Sequence, residues 1–100
     1  MSLIVAKKNN SGDLLLVITD EDLLGQRFEE GKLQLDLTKQ FYEGERKSKE
    51  EVVKLFAEAR HIHLTGKEAV ALGIEKDLIL AKRILWIKGI PHAEVIQEEI

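Results

Sequence analysis

The stretch 48–73 constrains this chain more than any other, because it carries its clearest helical periodicity together with two helix-start signatures. In Ser48-Lys49-Glu50-Glu51 a hydroxyl that can accept from a free helix N–H is followed three residues on by a carboxylate that can reach back. This is the reciprocal arrangement that opens helices. Val52, Phe56, Ala59 and His63 then recur at i, i+4, i+7 and i+11, with Val53 and Leu55 widening the stripe. The spacing predicts an amphipathic helix running to a corner near residues 64–66, with Phe56 as its main core anchor. Thr65-Gly66-Lys67-Glu68 repeats the capping pattern ahead of Ala69, Val70 and Leu72, and Gly73 suits the left-handed residue that ends a helix. A pair of helices with apolar faces needs a partner surface, which the rest of the chain must supply.

That surface reads as a sheet. Residues 3–7 and 14–19 are strand-like around the turn Asn9-Asn10-Ser11-Gly12, and the unbroken apolar run 14–18 places the second strand at the sheet centre. Thr19 or Asp20 is expected to cap a single helical turn ending at Gly25, with Leu23 and Leu24 turned inward. Segments 26–29 and 32–37 flank Glu30-Gly31, and Leu33, Leu35 and Leu37 alternate with Lys32, Gln34 and Asp36 as a half-buried strand does. Phe41-Tyr42-Glu43-Gly44 forms an aromatic turn that should seal the core's edge, and Glu75-Lys76-Asp77-Leu78 a capped turn or short helix. Ile84-Leu85-Trp86-Ile87 reads as the last strand, stopped by Gly89. Pro91 stiffens an expected loop at 89–93, and residues 94–100 are polar enough to fray. The expected fold is α+β: a single domain of 1–100, compact over 1–93, in which a small, mostly antiparallel sheet is covered by a helix pair as a two-layer sandwich. One hundred residues suffice for one core of ordinary size.

Composition removes several chemistries. With no cysteine there is no disulfide, thiolate zinc site, iron–sulfur cluster or cysteine nucleophile, and the reducing cytosol is the natural home. No apolar run approaches the roughly 20 residues of a membrane helix, and no signal-peptide pattern opens the chain, so a cytoplasmic protein with no membrane association is expected. The net charge of −3, from 15 basic and 18 acidic residues, gives no global basic footprint, although it is compatible with a local basic patch. A charged fraction of 33%, rich in Lys and Glu, fits a heat-adapted surface.

Among side chains suited to acid–base or metal chemistry the three histidines stand out. On a helix, His61 and His63 fall on nearly opposite faces, and only on a strand would they share one, so the helix expectation argues against a chelate. His63 is then a packed residue at the helix corner and His61 a solvated one. His92, after a glycine-proline turn, is held on a loop and carries more functional weight. Asp20, Glu21, Asp22, Glu29 and Glu30 lie near turns, where carboxylates can pair for acid–base work or hold a divalent cation, but such charge runs are usually solvated faces. No EF-hand spacing, phosphate-binding glycine loop, H-E-x-x-H helix or nucleophile elbow is present. The expectation is no catalytic residue, no metal ligand and no cofactor. For nucleic acid, Lys7-Lys8, Arg46-Lys47, Lys82-Arg83 and Lys88 are the positive points, and Trp86 stands between the last two. An exposed aromatic beside cations is the arrangement of single-stranded RNA binders, whereas the commoner fate of a tryptophan is burial.

Leu23-Leu24-Gly25, Phe28-Glu29-Glu30-Gly31, Phe41-Tyr42-Glu43-Gly44, Leu64-Thr65-Gly66 with Ala69-Val70, and Gly89-Ile90-Pro91-His92-Ala93 form an ordered set. In order and spacing the set resembles the archaeal domain-of-unknown-function 424 family, from about residue 23 to residue 93. The resemblance implies an archaeal cytosolic protein with a two-layer α+β fold, and no activity. His63 stands where members commonly carry asparagine, and Glu94 where they often carry glutamine. The functional expectation is a non-catalytic binding protein acting on RNA or the translation apparatus. Gly89, Pro91, His92 and the neighbouring Gly66 would build its face, Lys82, Arg83 and Lys88 would contact phosphate, and Trp86 would stack. The alternative is a protein-interaction module or homodimer using a sheet edge or the Phe41-Tyr42 turn. A third reading is a metal-assisted hydrolase using His92 with nearby carboxylates.

Overall fold

A computed structural model describes residues 2–98. Strand β1 (Leu3–Asn10) and strand β2 (Asp13–Asp20) form the opening hairpin, joined by Ser11 and Gly12 at φ 55° and 90°. Two positive φ angles in a two-residue loop match the right-handed twist of the strands they join. A second hairpin, β3 (Arg27–Glu30) with β4 (Leu33–Asp36), forms a separate two-stranded sheet. The chain continues through the short β5 (Glu45–Lys47), α1 (Lys49–Phe56), β6 (His61–Thr65), α2 (Lys67–Glu75), β7 (Leu85–Ile87) and β8 (Ile90–Ile96). Single 3-10 turns lie at Glu21–Leu23, Gln40–Tyr42 and Ala81–Arg83.

The main sheet has six strands in the order β5-β1-β2-β6-β8-β7, antiparallel throughout except for the parallel pair β2 and β6. Its two faces differ. On one, Leu3, Val5, Leu16, Ile18, Ile62, Leu64, Ala93 and Val95 pack against Val52, Phe56 and Ala59, and against Ala69, Val70 and Leu72 of α2. The reverse face is not bare: Leu35 and Leu37 of the second hairpin bury against Ile87, with Leu23, Phe28, Tyr42 and Ile90 around them. The protein is thus α+β, with the helix pair on one face of a mostly antiparallel sheet. The alternating Leu33-Gln34-Leu35-Asp36-Leu37 segment supplies a partial layer on the other.

Several local expectations are corrected. The Ser48 capping box is present, with Glu51 N donating to Ser48 Oγ at 3.2 Å and Ser48 N donating to Glu51 Oε1 at 3.0 Å. The helix it opens ends at Phe56, however, and His61 to Thr65 form a strand. The alternation of His61, His63 and Thr65 with buried Ile62 and Leu64 has a period of two, and pairing on both sides satisfies its backbone. Gly73 does not end α2, which runs to Glu75; Asp77 at φ 59° takes the left-handed position instead. Leu78 N donates to Gly73 O and Asp77 N to Ile74 O, the paired bonds of a Schellman ending. Gly73 is needed for space, since a Cβ there would press on Leu64 and Ile79. The expected loop at 89–93 is a Lys88-Gly89 hairpin turn, at φ 52° and 76°, leading straight into β8. Residues 94–96 continue that strand rather than fraying, and Gln97 Nε2 donates to Phe56 O at 2.8 Å and Ala59 O at 2.9 Å. Residues 99 and 100 of the expected tail lie outside the described ones.

Candidate functional site

The parity of β6 and β8 builds a polar cluster on the reverse face. Ile62, Leu64, Ala93 and Val95 point to the helices, so His63 and Thr65 on β6, and His92 and Glu94 on β8, point the other way. The register sets His63 opposite Glu94 and Thr65 opposite His92. Thr65 Oγ1 and His92 Nδ1 are hydrogen-bonded at 2.8 Å. That bond leaves His92 Nε2 directed at the Glu94 carboxylate, 3.4 Å from Oε2, while His63 Nε2 lies 3.6 Å from Oε1. The two imidazoles meet edge to face with centroids 6.0 Å apart.

The 3-10 turn at Gln40–Tyr42 walls this cluster. The Phe41 ring stands 5.7 Å from His63 and 5.1 Å from Tyr42, and Lys8 Nζ lies over it, 5.1 Å from its centroid. Burial holds the His63 pKa below the ordinary imidazole value, against the opposing pull of the Glu94 charge, with His92 and His61 adding to the lowering. Desolvation raises the Tyr42 phenol, and the Glu94 and Asp36 charges push the same way. Beside the cluster, past the end of the short β7, a shallow pocket of about 390 Å³ is lined by Leu80, Arg83, Leu85, His92 and Glu94 among others. Among the described residues, His63, His92 and Glu94 are the group whose donor atoms converge within 4.8 Å.

Asp20 connects this face to the helices. It precedes the 3-10 turn at Glu21–Leu23 but makes no side-chain cap there; its carboxylate accepts from Glu68 N at 3.0 Å and Ala69 N at 2.8 Å, so it caps α2 from another strand. Thr65, the hydroxyl expected at that cap, is turned to His92 instead. Burial raises the Asp20 pKa, and the two backbone N–H groups partly offset that rise.

Residues 9–97 match the family described as Protein of unknown function (DUF424). The chain belongs to this family. The fold is also similar to that in a crystal structure of an uncharacterized conserved protein from Methanopyrus kandleri, with a TM-score of 0.71 and 19% identity over 100% of this chain and 97% of that one. Likeness at that identity speaks to fold alone. Among curated proteins no relative matches.

The residues expected to form one binding face fall into three places. Gly66, Pro91 and His92 come together, with Gly66 N donating to Pro91 O at 2.9 Å. Lys88 and Gly89 form the β7–β8 turn at the sheet's edge, where Lys88 N donates to Glu30 Oε1 at 2.7 Å. Lys82 and Arg83 are exposed on the 3-10 turn before β7, and Trp86 on β7 is 52% exposed rather than core. Because Trp86 pairs with Pro91, it faces the side away from His92. His63, Thr65 and Glu94 were missed as a site, and the signal for them was the two-residue alternation in His61-Ile62-His63-Leu64-Thr65 and Pro91-His92-Ala93-Glu94-Val95. Among the described residues no helix is long and apolar enough to cross a membrane.

Proposed function

We propose that the chain is a non-catalytic cytoplasmic RNA-binding protein whose contact surface is the edge strand β7 with the turns on either side of it. The observation that carries this reading is the 52% exposure of Trp86, the only tryptophan, between exposed Lys82-Arg83 and exposed Lys88. Strand geometry keeps Lys88 within roughly 7 Å and Arg83 within roughly 10 Å of Trp86 along the chain. An unstacked base on the indole, with its phosphates against these cations, is how sequence-tolerant single-strand binders gain affinity. His92 and Gly66 lie on or near the reverse face and leave this surface.

The single indole makes the test direct: titrate short single-stranded RNA and follow tryptophan fluorescence. Binding should quench it, and three phosphate contacts should give a slope of log affinity against log salt of about −2. Trp86→Ala should weaken binding about 5- to 150-fold, the range expected for one base stack, when followed by polarisation of labelled RNA. Lys88→Glu should weaken it further. Unchanged fluorescence, or a salt-insensitive complex, would sink the reading. A second reading is favoured by one observation: Leu80, Leu85 and Trp86 are 60%, 42% and 52% exposed around an edge strand, an apolar area that a homodimer or protein partner would cover. Concentration-dependent mass in light scattering, abolished by Leu85→Lys, would support it, and a constant monomer mass would remove the homodimer.

A further inference from the structure

We infer that His63, His92 and Glu94 form a mononuclear site for a divalent transition metal, with zinc the natural occupant. The three donors come from adjacent antiparallel strands whose opposite face is locked into the helix core, so their mutual placement is set by the sheet rather than by a mobile loop. The convergence of two imidazoles and a carboxylate carries the argument. Were the imidazoles simply donating to the carboxylate, charge-assisted N–H···O contacts of about 2.7–2.9 Å would be expected. The observed 3.4 Å from His92 is a long hydrogen bond and the 3.6 Å from His63 lies beyond hydrogen-bond reach. Both are close to the ~3.4 Å edge of a tetrahedron with bonds of ~2.1 Å, and because His92 faces Oε2 and His63 faces Oε1, a turn of the exposed carboxylate brings one oxygen to both. The donors of His63 and His92 also lie within the 4.8 Å that spans the group, so one ion can reach all three with small side-chain rotations.

The surroundings fit a ligand set. When His92 Nδ1–H donates to Thr65 Oγ1, the Nε2 lone pair faces the carboxylate, and the hydroxyl fixes ring and tautomer as outer partners of metal-bound histidines do. Thr65 is fully buried, so that partner is rigid. Phe41 closes the His63 side, and the open side leads to the pocket at Arg83 and Leu85, leaving room for water at the remaining coordination position. Two imidazoles and one carboxylate favour zinc, cobalt or nickel over magnesium or calcium, which take oxygen donors. The expectation of no metal ligand assumed that His61 and His63 lay on a helix; the strand removes that objection. The inference does not rest on the RNA-binding reading: Trp86 faces away from His92, and none of the three ligands belongs to that surface, although Arg83 and Leu85 border both.

The test is calorimetric titration of zinc chloride into the tag-free, chelator-stripped full chain. One ion per chain with micromolar or tighter affinity is expected, and His63→Ala, His92→Ala and Glu94→Gln should each weaken it at least tenfold. Thr65→Val should keep the stoichiometry and lose roughly tenfold or more, the usual cost of an outer partner. His61→Ala should bind as the parent does. Glu94 is 62% exposed, so Glu94→Gln leaves the core intact and reads the site even if a histidine variant misfolds. Affinity no tighter than millimolar, binding retained in Glu94→Gln and His92→Ala, or binding lost in His61→Ala would each overturn the assignment.

Discussion

Replacing Gly66 with alanine should cost this protein about 1.5–5 kcal/mol, and the reason can be isolated from the substitution's general strain. Gly66 sits at φ 107° and ψ 160°, a backbone region that is essentially restricted to glycine and costs other residues about 1–3 kcal/mol. A Cβ at this position would also fall inside the Asp20 carboxylate, which holds Glu68 N at 3.0 Å and Ala69 N at 2.8 Å at the start of α2. Displacing Asp20 forfeits that cap, worth about 0.5–2 kcal/mol by comparison with ordinary N-caps. A domain of this kind has roughly 5–15 kcal/mol in total, and at a urea m-value of about 1.5 kcal/mol/M the midpoint should fall by about 1–3 M. The mechanism is tested by a double-mutant cycle with Asp20→Ala. In that background the carboxylate is gone, the cap is already lost, and Gly66→Ala should cost only its backbone strain. The pair should therefore be sub-additive by about 0.5–2 kcal/mol, the value of the shared cap. Strict additivity, or a Gly66→Ala cost below 1 kcal/mol, would refute the account of Asp20 as the remote cap of α2.

Three further outcomes follow from the packing and the charges. Leu37→Ala, which empties a 1% exposed position on the reverse face, should cost about 2–5 kcal/mol in urea unfolding, whereas Leu33→Ala at 40% exposure should stay within about 0.5 kcal/mol. Equal small effects would mean that the second hairpin is not a core layer. Gln97→Ala should lose about 1–3 kcal/mol, because its amide holds the carbonyls of Phe56, the last residue of α1, and of Ala59 just beyond it, and a neutral result would return this segment to a frayed tail. Glu51 has its pKa lowered, first by the Ser48 backbone N–H and then by the Ser48 side chain, so its stabilisation is present above the ordinary value of 4.5 and is lost as pH falls through the lowered folded value. The stability difference between the parent and Glu51→Gln should accordingly be seen at pH 7 and shrink in acid; a difference that grew on acidification would have the wrong sign.

How much was legible in the sequence depended on whether the deciding interaction was local. The Ser48 capping box and the opening hairpin are written within a few residues and agree with the structure, as does the inward alternation of Leu35 and Leu37, whereas Leu33 at the start of that strand is exposed. The first helix was overextended because Ala59 and His63 happened to continue its 3.6-residue spacing, although Ile62 and Leu64 fit a period of two equally well. What decides between the two is pairing with β2 on one side and β8 on the other, which no window of the sequence contains. Gly73 was misread for a similar reason: its signal as a helix end is local, but its need for space comes from Ile79 and Leu64. Asp20 was placed at the nearer helical turn, since nothing local announces that its carboxylate reaches α2.

The cluster at His63, His92 and Glu94 follows from that pairing in a way the polar residues alone do not specify. Ile62, Leu64, Ala93 and Val95 must face the helices, and side chains alternate along strands in unbroken register, so these four apolar residues dictate the direction of the polar ones between them. A one-residue slip of β8 against β6 would bury Glu94 among Phe56, Val70 and Leu72 and expose Val95, at the cost of an unpaired charge in the core. The register that places His63 opposite Glu94 and Thr65 opposite His92 is therefore enforced from the far side of the sheet. It holds whether or not an ion is bound. A site prepared in this way has little ordering left to do on binding, so variants that loosen the helix face, such as Val70→Ala, should weaken zinc binding without touching any ligand.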